Sequence, residues 1–236
     1  MSAHCCAHLP EPSPARNPRY RRALWIALLV NAAMFGVELA GGMHAGSTSL
    51  LADALDFFGD AANYGVSLLV LSMAAVWRSR AALVKGLSMG AFGCFVLVQT
   101  ALSMFNGIAP EPATMGAIGF LALLANLGVA ALLYAYRSGD ANMRSVWLCT
   151  RNDAIGNAAV MLAAAGVFGT GSGWPDWSVA MLMSLLALSA AITVVRGALA
   201  ELRSRRDNQA QDNAVRPAHD HAHSHSHSHS HAGHHH

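Results

Sequence analysis

Charge is scarce in this chain: Asp, Glu, Lys and Arg make up 12% of its 236 residues, about half the share of an average soluble domain. With 54% hydrophobic residues, that scarcity excludes an ordinary soluble globular domain. Cysteine is sparse too. Cys5, Cys6, Cys94 and Cys149 are too few and too scattered for a secreted disulfide framework and read as free thiols. Hydrolase signatures are missing: the apolar runs hold no His-Glu-x-x-His, no Gly-x-Ser-x-Gly and no Ser/His pairing, so an enzyme acting within the membrane is not expected. No nucleic-acid-binding motif accompanies the formal net charge of +2, whose basic residues sit in loops and ends. Neither a nucleic-acid partner nor a cofactor is expected.

What the chain has is apolar length. Between residues 23 and 197, runs of about twenty apolar residues recur, each able to cross about 30 Å of hydrocarbon at about 1.5 Å per residue. They predict an all-α integral membrane protein with six transmembrane helices near 23–43, 49–77, 83–105, 113–136, 145–168 and 178–200, packed as a bundle in the lipid bilayer. The first run is not a cleaved signal peptide, because it follows a long Pro-containing tail and is followed by more spans. Arg and Lys cluster before helix 1 and after helices 2, 4 and 6, with Arg78, Arg80 and Lys85 forming the second cluster, and the three intervening loops hold none. Both termini are therefore expected in the cytoplasm, in the inner membrane of a bacterium.

Polar, disordered termini flank this transport-sized region of residues 23–200. Residues 1–22 contain four prolines, four arginines and the soft-ligand cluster His4-Cys5-Cys6-Ala7-His8, suited to loose capture of a thiophilic cation or incidental at a frayed end. Residues 201–236 end in alternating His-Ser, and His219, His221, His223, His225, His227, His229 and His231 form an accessory metal-binding tract.

Helix 2 contradicts its own apolarity. Asp53, Asp56 and Asp60, with Asn63 or Tyr64 and Ser67 beyond, fall three or four residues apart and share a face. One aspartate near mid-bilayer costs about 2.5–3.5 kcal/mol, so three imply a proton, a cation or a partner. Helix 5 supplies a matching stripe of Cys149, Asp153 and Asn157, with Asn152 beside it. Counted from the two ends at 1.5 Å per residue, Asp60 and Asp153 reach the same depth, about 12–14 Å above the cytoplasmic edge. Several acids so close in a poorly polarisable site share protons until a divalent cation replaces them, which is the physics of metal/proton exchange. On helix 1, Glu38 lies seven residues after Asn31 and reads either as part of an ion path or as an acid bonded for packing.

The run from Asn31 through Glu38 and Gly41-Gly42 to Gly46-Ser47-x-Ser49-Leu50-Leu51-Ala52-Asp53-Ala54-x-Asp56-x-x-x-Asp60 resembles the first two helices of the cation diffusion facilitators. Asn142-Met143-Arg144-Ser145 followed by Cys149-x-x-x-Asp153-Ala154-x-Gly156 resembles their fifth. The resemblance implies a metal site of Asp56, Asp60, Asp153 and Cys149, with Cys149 standing where the family usually has His, and Asn152 or Asn157 as substitute donors. It also implies a homodimer, with helices 1, 2, 4 and 5 around the ion and 3 and 6 beside them. The activity it implies is proton-coupled export of divalent transition metals. Zinc is expected first, with cobalt, nickel and cadmium behind; the ion is the substrate and the proton its counterpart. The family's folded cytoplasmic domain after helix 6 is expected to be absent, making this a short form. The competing reading is a membrane-anchored metal sensor or scaffold that works through its tails.

Overall fold

The computed structural model describes residues 18–69, 75–134 and 141–220, apart from the side chains at 75, 76, 78, 141–152 and 212–220. Among the described residues all regular structure is helical: α1 (Pro18–Ala45), α2 (Thr48–Leu69), α3 (Ala75–Asn106), α4 (Pro112–Tyr134), α5 (Ala141–Thr170) and α6 (Trp174–Asp220). Five are long and apolar enough to cross a membrane. The sixth, α2, has 22 residues and three aspartates, and its length of about 33 Å suffices to span.

Several boundaries differ from expectation. Residues 75–77, expected at the end of helix 2, open α3 instead; the run from Leu68 to Trp77 is broken only by Ser72 and carries no Gly, Pro or charge that would mark a boundary. α1 begins at Pro18, inside the segment expected to be a disordered arm, with proline at the first helical position, where its missing N–H costs nothing. α6 passes the expected boundary at residue 200 and continues to Asp220. Its extension is rich in helix formers, and Arg205 bridges Glu201 one turn back at 2.7 Å.

Three short turns join α1 to α2, α3 to α4 and α5 to α6 at one end of the bundle, and each contains a glycine with positive φ, Gly46, Gly107 and Gly171. A side chain would strain these positions. Gly46 closes α1 in a Schellman turn, with Ser47 N–H donating to the Gly42 carbonyl at 2.9 Å. The opposite end holds the start of α1 and the arginines Arg19, Arg21, Arg22 and Arg80; it is called the basic end below.

α1 pairs mainly with α2, α4 with α5, and α3 with α6. The two largest apolar clusters stack along the bundle. Leu50, Leu51, Leu55, Met89, Met115, Val160 and Met183 fill the turn end, while Tyr20, Leu24, Tyr64, Leu68, Val129 and Leu133 fill the basic end. Phe35, Phe58 and Phe92 link α1, α2 and α3, with centroids 5.5 and 6.1 Å apart.

The turn end is locked by one residue. Asp176, in the first turn of α6 and fully buried, caps α2 rather than its own helix. Its Oδ2 accepts from Thr48 N–H at 2.8 Å and Thr48 Oγ1 at 2.9 Å, and its Oδ1 from Ser49 N–H at 3.0 Å and Ser47 Oγ at 2.7 Å. A carboxylate at a helix N-terminus meets both free N–H groups and the positive end of the dipole. Asp176→Ala is expected to destabilise the protein by about 3 kcal/mol, because it removes the cap and strands buried donors. Thermal unfolding in detergent checks this, and Asp176→Asn should lose less.

Candidate metal centre

Between the two apolar clusters, α2 turns its acids inward. Asp53 and Asp60 are buried and Asp56 is half-buried. The spacing of three and four residues keeps them on one stripe, about 10 Å long from Asp53 to Asp60. The structure divides the expected site residues into two neighbouring groups along that stripe.

The group nearer the basic end centres on Asp60. Tyr64, one turn on, donates its Oη to Asp60 Oδ2 at 3.0 Å. Asp153 of α5 meets the same carboxyl, and Asn63 and Lys85 act on it as well. Two acids from separate helices thus meet, buried Asp60 and half-buried Asp153, at the level given by counting depth along the sequence. Two carboxylates in contact cannot both stay charged and unmatched in an apolar interior; a proton or a cation must lie between them.

Nearer the turn end, Glu38 of α1 and Asp53 of α2 form a second carboxyl pair, with Asp56 acting on Glu38. Both are at most 1% exposed, and no N–H or O–H donor among the described residues reaches any of their four oxygens. α5 approaches them through a glycine. A Cβ added at Gly156 would lie 3.6 Å from Asp53 Oδ1 and 3.8 Å from Asp56 Oδ2, so the missing side chain leaves the acids room on that side.

Amides complete the polar layer. Asn157 on α5 is fully buried, and neither atom of its amide has a hydrogen-bond partner among the described residues. Asn126 on α4 is 2% exposed with its Oδ1 unsatisfied. Asn31 on α1 donates to the Ala27 carbonyl at 2.8 Å, leaving its own Oδ1 without a donor. Unmatched buried amides are rare and costly, and oxygen atoms aimed into a polar layer suit a cation or water.

Asp60 and Asp153 are therefore brought together, Glu38 joins Asp53, and Asp56 belongs with the second pair. Among the described residues no three His, Cys, Asp or Glu side chains close around a common point as a bound ion would require. The side chains of Cys149, Asn152 and His219 lie outside the described residues, as do His221, His223, His225, His227, His229 and His231.

Two residues escape a reading of the sequence. Asp176 carries no local sign that it caps a distant helix. Lys85, by sequence part of the cluster with Arg78 and Arg80, lies well inside α3 at 8% exposure, donating its Nζ to Asn63 Oδ1. Its neighbours Ala82, Gly86 and Met89 lie on the same buried face, and that periodicity is the signal that locates it.

A six-helix bundle with paired acids and unmatched amides in its apolar interior defines a class of protein: a membrane protein built to handle a cation or protons. The chain matches the family model for the cation efflux transmembrane domain over residues 24–203 and belongs to that family. It is 29% identical over 219 residues to the zinc transporter ZitB of Escherichia coli (strain K12), covering 85% of this chain and 66% of that one. It is 24% identical over 179 residues to the metal cation efflux system protein CzcD of Cupriavidus metallidurans, covering 71% of this chain and 57% of that one. The chain thus spans less than two thirds of the length of these curated relatives.

The clearance at Gly156 is limited, since an added Cβ would also sit 3.4 Å from Met183 Cε. Gly156→Ala should be neutral or stabilising by up to about 1 kcal/mol, as a helix-interior alanine in ordinary contact. Gly156→Leu should cost about 1–3 kcal/mol by overpacking against the acids. Unfolding midpoints of the two variants in detergent distinguish these outcomes.

Proposed function

We propose that this protein is a secondary transporter that exports divalent transition-metal cations from the cytoplasm, zinc first, in exchange for protons. The observation that carries the reading is the contact between the carboxyls of Asp60 on α2 and Asp153 on α5 inside the bundle. Asp60 and Asp153 hold the ion, Asp56 joins from one turn away, and Cys149 or an asparagine amide completes the shell. Neutral, the acids retain protons; a divalent ion entering displaces them, and protons arriving from the far side displace the ion. Such a site exchanges charge for charge, two protons for one divalent ion. The printed functions of the two relatives, zinc transport and metal cation efflux, support the same substrate class.

Several features are part of the proposal. The arginines at the basic end orient that end to the cytoplasm, in a bacterial inner membrane. The histidine tract gathers metal there, and two copies of the chain pair through their membrane helices. Catalysis of bond breakage has no place in this scheme.

Reconstituted into vesicles with an imposed pH gradient, the full chain should move Zn²⁺ against buffer controls. Asp60→Asn and Asp153→Asn should each reduce the initial rate about a hundredfold or more, since each leaves the ion one charge short in a site of low dielectric. Flux at the native rate in either variant overturns the assignment of the site. A panel of Zn²⁺, Cd²⁺, Co²⁺ and Ni²⁺ on the native chain, Cys149→His and Cys149→Ser decides the preferred ion and the fourth ligand. If sulfur is a ligand, Cys149→Ser should shift preference away from Cd²⁺ toward the harder ions.

A further inference from the structure

Lys85 is out of place in a helix whose role is only to support its neighbours. A lysine within an apolar span is expensive, and it is kept where it meets an opposite charge or a functional path. Here it lies at 8% exposure on α3, about 9 Å along the span that begins at Ser79. Its Nζ donates to Asn63 Oδ1, one turn of α2 from Asp60 toward the basic end, and its charge acts on the Asp60 carboxyl. Asp60 therefore faces four groups from three helices: Tyr64 and Asn63 on its own, Asp153 on α5 and the Lys85 ammonium on α3.

We propose that Lys85 is a resident counter-cation of the ion site, a residue that sets its affinity by holding one fixed positive charge beside Asp60. The inference rests on the reading of Asp60 as a ligand of the transported ion. With the site empty, the ammonium partly neutralises the acid pair without any ion bound. When a divalent cation arrives, the same ammonium repels it, and in a poorly screened interior that repulsion is felt strongly at a few ångströms. Affinity is thereby held below what two buried carboxylates would otherwise give. A transporter gains from that limit, because an ion held too tightly does not leave. The position also matters: an ion entering from the basic end passes Asn63 and the ammonium before it reaches Asp60.

The alternative is a purely structural peg, in which Lys85 ties α3 to α2 through the Asn63 amide and nothing more. Charge and hydrogen bond can be separated. Lys85→Gln keeps an N–H donor for Asn63 and removes the charge, Lys85→Met removes both, and Lys85→Arg keeps the charge. The experiment is Zn²⁺ uptake by the full chain in vesicles under a fixed pH gradient, resolved into KM and kcat. Both neutral variants should lower KM at least about tenfold, and Lys85→Arg should return it toward the native value, because the removed repulsion is electrostatic.

Unchanged or raised KM in Lys85→Gln, with flux abolished in Asp60→Asn, makes Lys85 a peg and overturns the inference while the transport site stands. Should Lys85→Gln fail to fold, the KM of Lys85→Met carries the same two outcomes. Native flux in Asp60→Asn removes the site itself, and the inference falls with it for a different reason.

Discussion

A carboxylate taken out of water must find a proton, a cation or donors, and in this protein the placement of acids on α2 dictates which helices surround it. Asp60 is met by Tyr64, Asp153 and Lys85, and Asp53 by Glu38. The two apolar clusters close the bundle on either side of that layer. The low polarisability of that apolar surround is what makes the charge balance inside the layer decisive. A similar stripe on a surface helix would be solvated and inert.

The two acid pairs are not equivalent. Asp60 has a phenol donor and a neighbouring ammonium, so negative charge on it is partly compensated by the protein. Among the described residues no donor reaches Glu38 or Asp53, which have each other's carboxyl beside them, with Asp56 adding charge of the same sign. The two pairs lie along a single face of α2, Asp60 toward the basic end and Asp53 toward the turns.

Much of this was legible in the sequence. Six apolar runs gave six helices because hydropathy and length are properties of the run itself. The meeting of Asp60 and Asp153 followed from counting equal depth on two antiparallel helices, since rise per residue is fixed by backbone geometry. The ends of helices were less legible. The run from Leu68 to Trp77 carries no Gly, Pro or charge, so the start of α3 at Ala75 had no marker, and the extension of α6 looked like a polar tail because exposed helix and disordered chain share a composition. Least legible were Asp176 and Lys85. Each acts on a helix far from it in sequence, and spacing within one helix reports which face a residue takes, not what waits on the other side.

Those two residues also decide how α2 can move against the rest. α3 and α6 pack extensively on each other, both share an apolar core with α2, and among the described residues each also makes polar contact with it: α6 through the four hydrogen bonds of Asp176 at the turn end, α3 through Lys85 and Asn63 further along. Charge-assisted hydrogen bonds to a buried carboxylate are worth about 1.5–3 kcal/mol each, so breaking the cap costs several times what releasing the lysine does. By polar contacts alone, a tilt of α2 about its capped N-terminus breaks fewer hydrogen bonds than withdrawal of that end would. Displacement grows with distance from such a pivot. Asp53, one turn from the cap, shifts least, and Asp60 and Asn63 shift more, at the level where Lys85 and Met89 of α3 meet α2.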